Sequence, residues 1–230
     1  MSTNPTLYTY CIPGDDGAAP NPFWGICTLN ICKPVIRRIA NVGDWVVGTG
    51  SKLYGMEGKI VYAMQVTEKL TMQDYEQRCA IGLPNKVPDQ SSPDYRRRVG
   101  DCIYDFSHTP PIVRPSVHNE SNRDVDLGGG FTLLSKHFYY FGSVPRPLPT
   151  QLLPIVNQGQ GHRSGMNDAH VESFITWIAK QSDALNKVLA DPYLVKPVLS
   201  DPAYLGLCAT RNRENDEGEE ALWRGCGAQG

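Results

Sequence analysis

The chain has 230 residues, which is long enough to bury a sizeable core in one domain or two. Its formal net charge of −2 argues against a protein that coats DNA without sequence preference, because such proteins are basic. The 22 glycines and 18 prolines predict a loop-rich protein with short strands.

Neither export nor membrane insertion is indicated by the sequence. The amino-terminal residues lack the charged start and apolar run of a secretory signal, and no stretch approaches the length of a membrane span. The seven cysteines are odd in number and scattered along the chain. We therefore expect reduced thiols in a cytoplasmic protein with no membrane contact.

The first predicted strand, at residues 7–11, is followed by a loop rich in turn-forming residues. The strand carries Tyr10 among its aromatic side chains. The loop, at residues 15–23, contains Asp15 and also Asn21, which has a proline on either side. Rigid polar loops often contact ligands, although a simple surface crossing is the commoner role for any single residue here.

A helix and a pair of strands are predicted next. The helix is expected to start near Lys33, because the proline that follows is tolerated only in a first turn, and Arg37 should point outward or sideways. The strands are predicted at residues 44–49 and 59–67, and the second alternates bulky with small residues, which leaves one face with room for a ligand. The turn from Gly48 to Lys52 offers bare backbone N–H groups, two hydroxyls and an ammonium, which suits a polar ligand.

Beyond this hairpin, the hydrophobic pattern predicts helices at residues 71–78 and 168–181 and strands at residues 102–106 and 131–142. The prolines at 145, 147 and 149 are expected to stop any further strand. Asn167 is the predicted N-cap of the last helix. The glycine-rich loop before it carries His162 and Arg163, and the starts of helices attract anions.

Familiar catalytic and phosphate-binding motifs are missing. The segment from Gly48 lacks the third glycine of the dinucleotide fingerprint, and no phosphate-loop sequence occurs. The cysteine spacing does not predict zinc, and the cysteines are interpreted as ordinary packing residues. His162 is the candidate general acid or base, because histidine titrates near neutral pH.

Five segments in order resemble one known family: NPFWGICTLNICKPVIRR, VGDWVVGTGSK, IVYAMQVTEKLTMQDY, LLSKHFYYFG and GQGHRS. They resemble the second of the nucleotide modification-associated domain families, which is found in bacteria and their phages. Members tend to be encoded beside systems that modify DNA bases, so the resemblance implies a role near nucleotide or base modification without fixing the reaction. The hairpin also looks like base-binding barrels of the EVE, ASCH and PUA-like type.

We therefore predict a single α+β domain at residues 5–200. It is expected to contain a curved, mostly antiparallel sheet or a partial PUA-like β-barrel with helices packed outside. A polar and partly disordered tail is expected at residues 201–230.

The predicted function is binding of a nucleotide or modified nucleobase, free or within DNA. The base is expected to stack on an aromatic ring, for which the candidates are Tyr10, Trp45 and Tyr140. Its polar edge would be read by Asp15 and Asn21. Phosphate or sugar would be held by a set of cationic and hydroxyl side chains, namely Lys33, Arg37, Thr49, Ser51, His162 and Arg163.

Two alternatives stay open at this point. The protein could be an enzyme that processes a nucleotide or DNA base with His162 as its general acid or base. It could also be a non-catalytic accessory subunit that binds DNA or RNA and docks onto other proteins of a modification system. No metal site is predicted, and the cofactor and the oligomeric state are left undetermined.

Overall fold

The structure is a computed structural model that describes residues 4–157 and 161–194. The tail expected at residues 201–230, and the last residues of the domain expected at 5–200, lie outside the described residues.

The described chain contains eleven strands and five α-helices, with short 3-10 turns between them. The strands are β1 (Leu7–Ile12), β2 (Cys27–Leu29), β3 (Trp45–Gly50), β4 (Lys59–Gln65), β5 (Glu68–Thr71), β6 (Tyr104–Asp105), β7 (Ile112–Val113), β8 (Phe131–Ser135), β9 (His137–Tyr140), β10 (Arg146–Pro147) and β11 (His162–Arg163). The helices are α1 (Pro34–Ile39), α2 (Met72–Gly82), α3 (Tyr95–Arg98), α4 (Arg123–Gly128) and α5 (Val171–Ala179).

The larger sheet has six strands in the order β10-β4-β3-β1-β11, with β9 also paired to β4. Strands β3 and β4 form the predicted antiparallel hairpin, whereas β1 runs parallel to β3. A register shift at Gly48–Thr49 marks a β-bulge. Because of it, Ile60 packs on the same side of the sheet as Ala63, and the strict alternation of side chains expected along β4 is broken. Gly48 is required by close packing, since a Cβ there would lie 2.3 Å from Ile12 Cδ1.

Both faces of the larger sheet are covered. One face packs against α5 and the 3-10 turns at Thr150–Ile155 and Gly165–His170. The other face packs against α1 and a second, three-stranded sheet in the order β2-β8-β5. Helix α2 packs on the far side of that second sheet through Tyr75 and Cys79.

The described part of the chain is therefore a mixed α and β domain with several sheets and helices, and it contains no closed barrel. The face of β4 that was expected to leave room for a ligand is instead filled by the core cluster around Trp45 and Phe174.

Asn167 does not cap the last helix, because α5 starts at Val171 and the Asn167 side chain binds the Leu7 carbonyl at 2.8 Å. The proline-rich stretch forms the short strand β10, which prolines allow at a sheet edge.

A buried carboxyl group lies on the face of the larger sheet that packs against α1 and the second sheet. Asp15 accepts hydrogen bonds from the Tyr140 hydroxyl at 2.5 Å and from the Gly17 N–H at 3.1 Å. Burial raises the pKa of Asp15 to about 7, against the lowering effect of the Tyr140 hydrogen bond, and the neighbouring Asp16 carboxylate adds to the increase.

A buried ammonium group holds the second sheet to the loops around it. Lys86 is fully buried and donates to the Asn21 carbonyl at 2.9 Å, to Asn21 Oδ1 at 2.6 Å, to the Ile26 carbonyl at 2.9 Å and to Thr28 Oγ1 at 3.0 Å. Asp101, which accepts from Thr28 Oγ1 at 2.6 Å, supplies the nearby negative charge. The cation thus completes a polar network that has no access to water.

The raised pKa of Asp15 predicts a pH-dependent stability. The folded state keeps the proton up to about pH 7, whereas the unfolded chain releases it near 3.8, so the free energy of unfolding falls as the pH rises through this interval. The full loss amounts to about 4 kcal/mol. Asp15→Asn should remove this slope, so the variant should gain stability relative to the parent as the pH rises from 3.8 to about 7, as measured by urea unfolding.

The exposed Asp124→Asn is the matched control, since the Asp124 side chain is 94% exposed. Parallel pH profiles for the parent and Asp15→Asn would contradict the assignment.

Replacing the buried ammonium should destabilise the fold. Lys86→Met removes the ammonium donor from Asn21 Oδ1 and from the Ile26 carbonyl and leaves Asp101 without its counter-charge, so we expect a loss of about 3–5 kcal/mol in the free energy of unfolding. Denaturant titration measures this loss, with the exposed Lys136→Met as control. A loss no greater than that of the control would show that the network is not needed for stability.

Candidate functional site

A solvent-open hollow lies where the end of β1, the loop after it and the start of α1 meet. Its volume is about 30 Å³, or about 400 Å³ when the open mouth is included. Its wall brings together an aromatic ring, a cation, a carboxylate, a thiol and an imidazole, which belong to Tyr10, Lys33, Asp16, Cys32 and His118.

These side chains come from four separate parts of the sequence. Strand β1 contributes Tyr10 and the loop after it contributes Asp16, whose Oδ1 accepts from the Ala18 N–H at 2.9 Å. The two residues before α1 are Cys32 and Lys33. His118 comes from the loop before the 3-10 turn Glu120–Asn122. The fold therefore brings these side chains together, and no local sequence motif predicts the grouping.

The backbone at Cys32 and Lys33 is strained. Their φ angles are 57° and 45°, in the left-handed region that residues with a Cβ rarely adopt. Such conformations cost about 1–3 kcal/mol each and cluster at functional sites. Two buried bonds hold the Cys32 peptide in place, one from its N–H to Asp126 Oδ1 at 2.8 Å and one from Arg37 Nε to its carbonyl at 2.7 Å.

Cys32, His118 and Asp126 lie in a row. The Cys32 sulfur is 3.5 Å from His118 Nε2, and His118 Nδ1 is 2.6 Å from Asp126 Oδ2. The Tyr104 hydroxyl also donates to Asp126 Oδ2, at 2.7 Å. Because the Asp126 carboxylate is an acceptor for these partners, His118 donates through Nδ1, and in the neutral ring Nε2 is left as the acceptor that faces the thiol.

The Asp126 carboxyl group is held in its charged form. Burial alone would raise its pKa, but the charge and hydrogen bond of His118, together with the Arg37 guanidinium and the Tyr104 hydroxyl, outweigh burial and lower the pKa. A fixed carboxylate behind an imidazole orients the ring and stabilises the imidazolium once it forms.

Arg37 is a buried support of this site. Its guanidinium donates to the Asp126 carbonyl at 2.6 Å and to the Phe131 carbonyl at 2.9 Å, in addition to its bond to Cys32. The side chain is fully buried, and a Cβ at position 129 would come within 2.5 Å of it. The structure thus places Arg37 inside the domain, away from the position expected for a phosphate-binding arginine.

Of the residues predicted from the sequence to contact the ligand, the structure brings Tyr10 and Lys33 together at the hollow. The Lys33 ammonium lies 5.1 Å from the centroid of the Tyr10 ring, and the Tyr10 hydroxyl is 2.9 Å from that of Tyr62. Asp15 and Tyr140 lie deeper and bind each other, and Asn21 belongs to the Lys86 network.

The remaining predicted residues lie elsewhere. Trp45 is buried among aromatic rings on the α5 side of the sheet. Thr49 donates to the Tyr10 carbonyl at 3.1 Å, and Ser51 caps the next 3-10 turn by accepting from the Leu53 N–H. Thr49 pairs with Cys11 on one side of β1, whereas His162 and Arg163 form β11 on the other side.

The two predicted loops therefore flank β1, and neither contributes to the wall of the hollow. The His162 ring contacts Tyr8, with a centroid distance of 6.0 Å. One Arg163 nitrogen donates to the Val156 carbonyl at 3.3 Å.

Sequence reasoning missed Cys32, His118 and Asp126. The three residues are spread over a long stretch of chain, and such triads are recognised by geometry because their members need not be adjacent in sequence. One local signal was available: a cysteine two residues before the proline that opens a helix.

Two further observations concern possible metal clusters and membrane spans among the described residues. In residues 4–157 and 161–194, no three His, Cys, Asp or Glu side chains are grouped so that they could hold a metal ion. The helices within the same ranges are all too short or too polar to cross a membrane.

Comparison with protein families assigns most of the chain to one group. The family model described as nucleotide modification associated domain 2 matches residues 4–197. Comparison with curated proteins and with solved structures gives no significant match. The match covers the hollow and every described element of secondary structure, and the chain therefore belongs to the nucleotide modification associated domain 2 family.

Proposed function

We propose that this protein binds a nucleotide or modified nucleobase at the hollow beside β1. The observation that carries the proposal is that a lysine, an aspartate and a tyrosine line one hollow that opens to solvent. Ligand sites typically combine apolar surface with a few placed polar groups in this way. The family is associated with nucleotide modification, which fits a ligand of this chemistry.

Lys33 is the proposed partner of the phosphate group. Its ammonium rests over the Tyr10 ring, and a cation–π contact of this kind contributes about 0.5–2 kcal/mol. A hydrogen bond between charged groups contributes about 1.5–3 kcal/mol. A phosphate is thus a stronger partner than the ring, and a bound nucleotide can draw Lys33 toward it.

Asp16 is the proposed reader of the base. A carboxylate accepts hydrogen bonds, so it selects a base edge that presents an N–H group. Ile12 and Val117 supply apolar surface beside it. The narrow inner space does not hold a whole heterocycle, so the base is expected at the mouth, with one small substituent pointing inward.

Binding of a polynucleotide is the weaker alternative. The basic run in α3 is locally neutralised, since Arg96 pairs with Asp94 at 2.7 Å and Arg97 lies 3.9 Å from Asp89. An accessory subunit that binds DNA or RNA would show affinity that falls steeply with salt, in proportion to the phosphates it contacts. Tight binding of a mononucleotide with a shallow salt dependence favours the hollow.

A thermal-shift titration with the four deoxynucleoside monophosphates and their N-acetylated base derivatives tests this function. A ligand at about 100 times its dissociation constant stabilises the folded protein by about 2.7 kcal/mol. Lys33→Met should weaken binding by about tenfold or more, because it removes one charged hydrogen bond and leaves the aliphatic stem.

Lys52→Met is the matched control. Lys52 is the ammonium of the Thr49–Ser51 turn, and its side chain is 69% exposed. Loss of affinity in Lys52→Met but not in Lys33→Met would move the site to that turn and overturn the proposal.

A further inference from the structure

We propose that Cys32 is the nucleophile of an acyl-transfer reaction, with His118 as its general base and acid and Asp126 as the residue that positions His118. The substrate class is an amide or ester formed on a nucleotide or base, and the reaction is its hydrolysis. The substrate class rests on the proposed function, whereas the assignment of the nucleophile rests on the geometry alone.

The geometry is that of an activated thiol. A cysteine becomes a nucleophile when a base within hydrogen-bond reach takes its proton and a third group orients that base. The Cys32 sulfur meets His118 Nε2 at 3.5 Å, and His118 Nδ1 meets Asp126 at 2.6 Å. Contacts between catalytic groups are often long before substrate arrives, so a sulfur–nitrogen distance of this size fits the role.

The alternative is that these side chains are simply a satisfied part of the core. Two features argue against it. A core cysteine needs no special backbone, yet Cys32 and Lys33 both occupy the left-handed region, and Asp126 and Arg37 bind the backbone N–H and carbonyl of Cys32. A core cluster also needs no opening, yet Cys32 and His118 both line a hollow that opens to solvent.

Cys32 differs from the other cysteines of the described chain. Among the five in residues 4–157 and 161–194, it is the one with an imidazole within hydrogen-bond reach. Burial raises the pKa of Cys27 to about 12 and also raises that of Cys11. Those two thiols are therefore poor nucleophiles at neutral pH.

The reaction follows from these groups with every proton accounted for. The Cys32 sulfur bonds to the carbonyl carbon while His118 Nε2 takes the thiol proton. The carbon–nitrogen or carbon–oxygen bond then breaks, and His118 returns the proton to the departing amine or alcohol. Water attacks the resulting thioester, giving one proton to His118. The carbon–sulfur bond breaks, and that proton restores the thiol.

The shape of the hollow fits an acyl substituent. Its volume of about 30 Å³ has room for roughly one water-sized group. A flat heterocycle stays outside, whereas a carbonyl attached to it can reach the sulfur. This favours attack on a substituent over attack on the ring of the base itself.

Alkylation of the intact protein by iodoacetamide, followed by peptide mass spectrometry, tests the nucleophile without any nucleotide. The thiolate is the reactive form of a cysteine, and an imidazole within hydrogen-bond reach of the sulfur favours it. Cys32 should therefore react about tenfold faster than Cys11 in mildly acidic buffer, although Cys11 is the more exposed.

Two variants separate an activated thiol from an accessible one. His118→Gln should slow alkylation of Cys32 about tenfold and leave Cys11 unchanged, whereas His108→Gln, at an exposed position, is the matched control and should leave both unchanged. Asp126→Asn should move the pH profile of Cys32 alkylation upward. If His118→Gln fails to fold, the pH profile of Cys32 alkylation in the parent protein is the test. An ordinary thiol reacts only as the pH approaches about 8.5, so a profile of that kind contradicts an activated thiol.

The acyl step is tested with p-nitrophenyl acetate. The parent protein should release a burst of nitrophenolate and carry an acetyl group on Cys32, and Cys32→Ser should lose both signals. Alkylation of Cys32 no faster than that of Cys11, or the absence of acetylation at Cys32, overturns the inference.

The two proposals fail in different ways. If nucleotides stabilise the protein but Cys32 stays inert, the binding site stands and the nucleophile is rejected. If Cys32 is acetylated but no nucleotide binds, the nucleophile stands and the substrate belongs to another class of amides or esters.

Discussion

The Asp126 carboxylate is the contact on which the rest of the site depends. It accepts hydrogen bonds from the Cys32 N–H, from His118 Nδ1 and from the Tyr104 hydroxyl, which come from three distant parts of the chain. A buried carboxylate is costly unless its oxygens are well satisfied, and here these donors and the nearby Arg37 guanidinium compensate the burial. This one group therefore connects the start of α1, the loop of His118 and β6.

The same region shows why one residue can look like a ligand contact in sequence and be a support in structure. Arg37 follows an apolar stripe on a short helix, where a charged side chain normally points to water. In the fold, α4 and β8 cover that side of α1, and their backbone carbonyls provide the hydrogen bonds that a buried guanidinium needs. Sequence pattern cannot foresee this, since the carbonyls come from other elements.

Elements with strong local signals were predicted well. The hairpin of β3 and β4, the strand segment that forms β8 and β9, and the start of α2, which Thr71 caps, all follow from residue alternation, β-forming composition and capping chemistry. The placement of sheet faces was predicted less well. A β-bulge shifted Ile60 to the opposite face, and α5 covered the side that residue size alone had left open.

The site was only half predictable for a related reason. Tyr10 and Lys33 could be selected from the sequence because each is informative on its own, one as an aromatic residue of a strand and the other as a cation before a helix. Cys32, His118 and Asp126 acquire meaning only through distances that the fold creates. The polar segments Thr49–Ser51 and His162–Arg163 were predicted to bind the ligand. In the structure they pair with β1 and cap a turn.

The left-handed backbone at Cys32 also restricts which amino acids this position can accept over evolutionary time. A side chain branched at Cβ is a genuine outlier at positive φ, whereas an unbranched one is merely disfavoured. Serine can therefore stand in for the thiol with the same main-chain shape, but threonine cannot do so without reshaping the entry to α1. Of these two hydroxyl residues, the backbone thus favours serine.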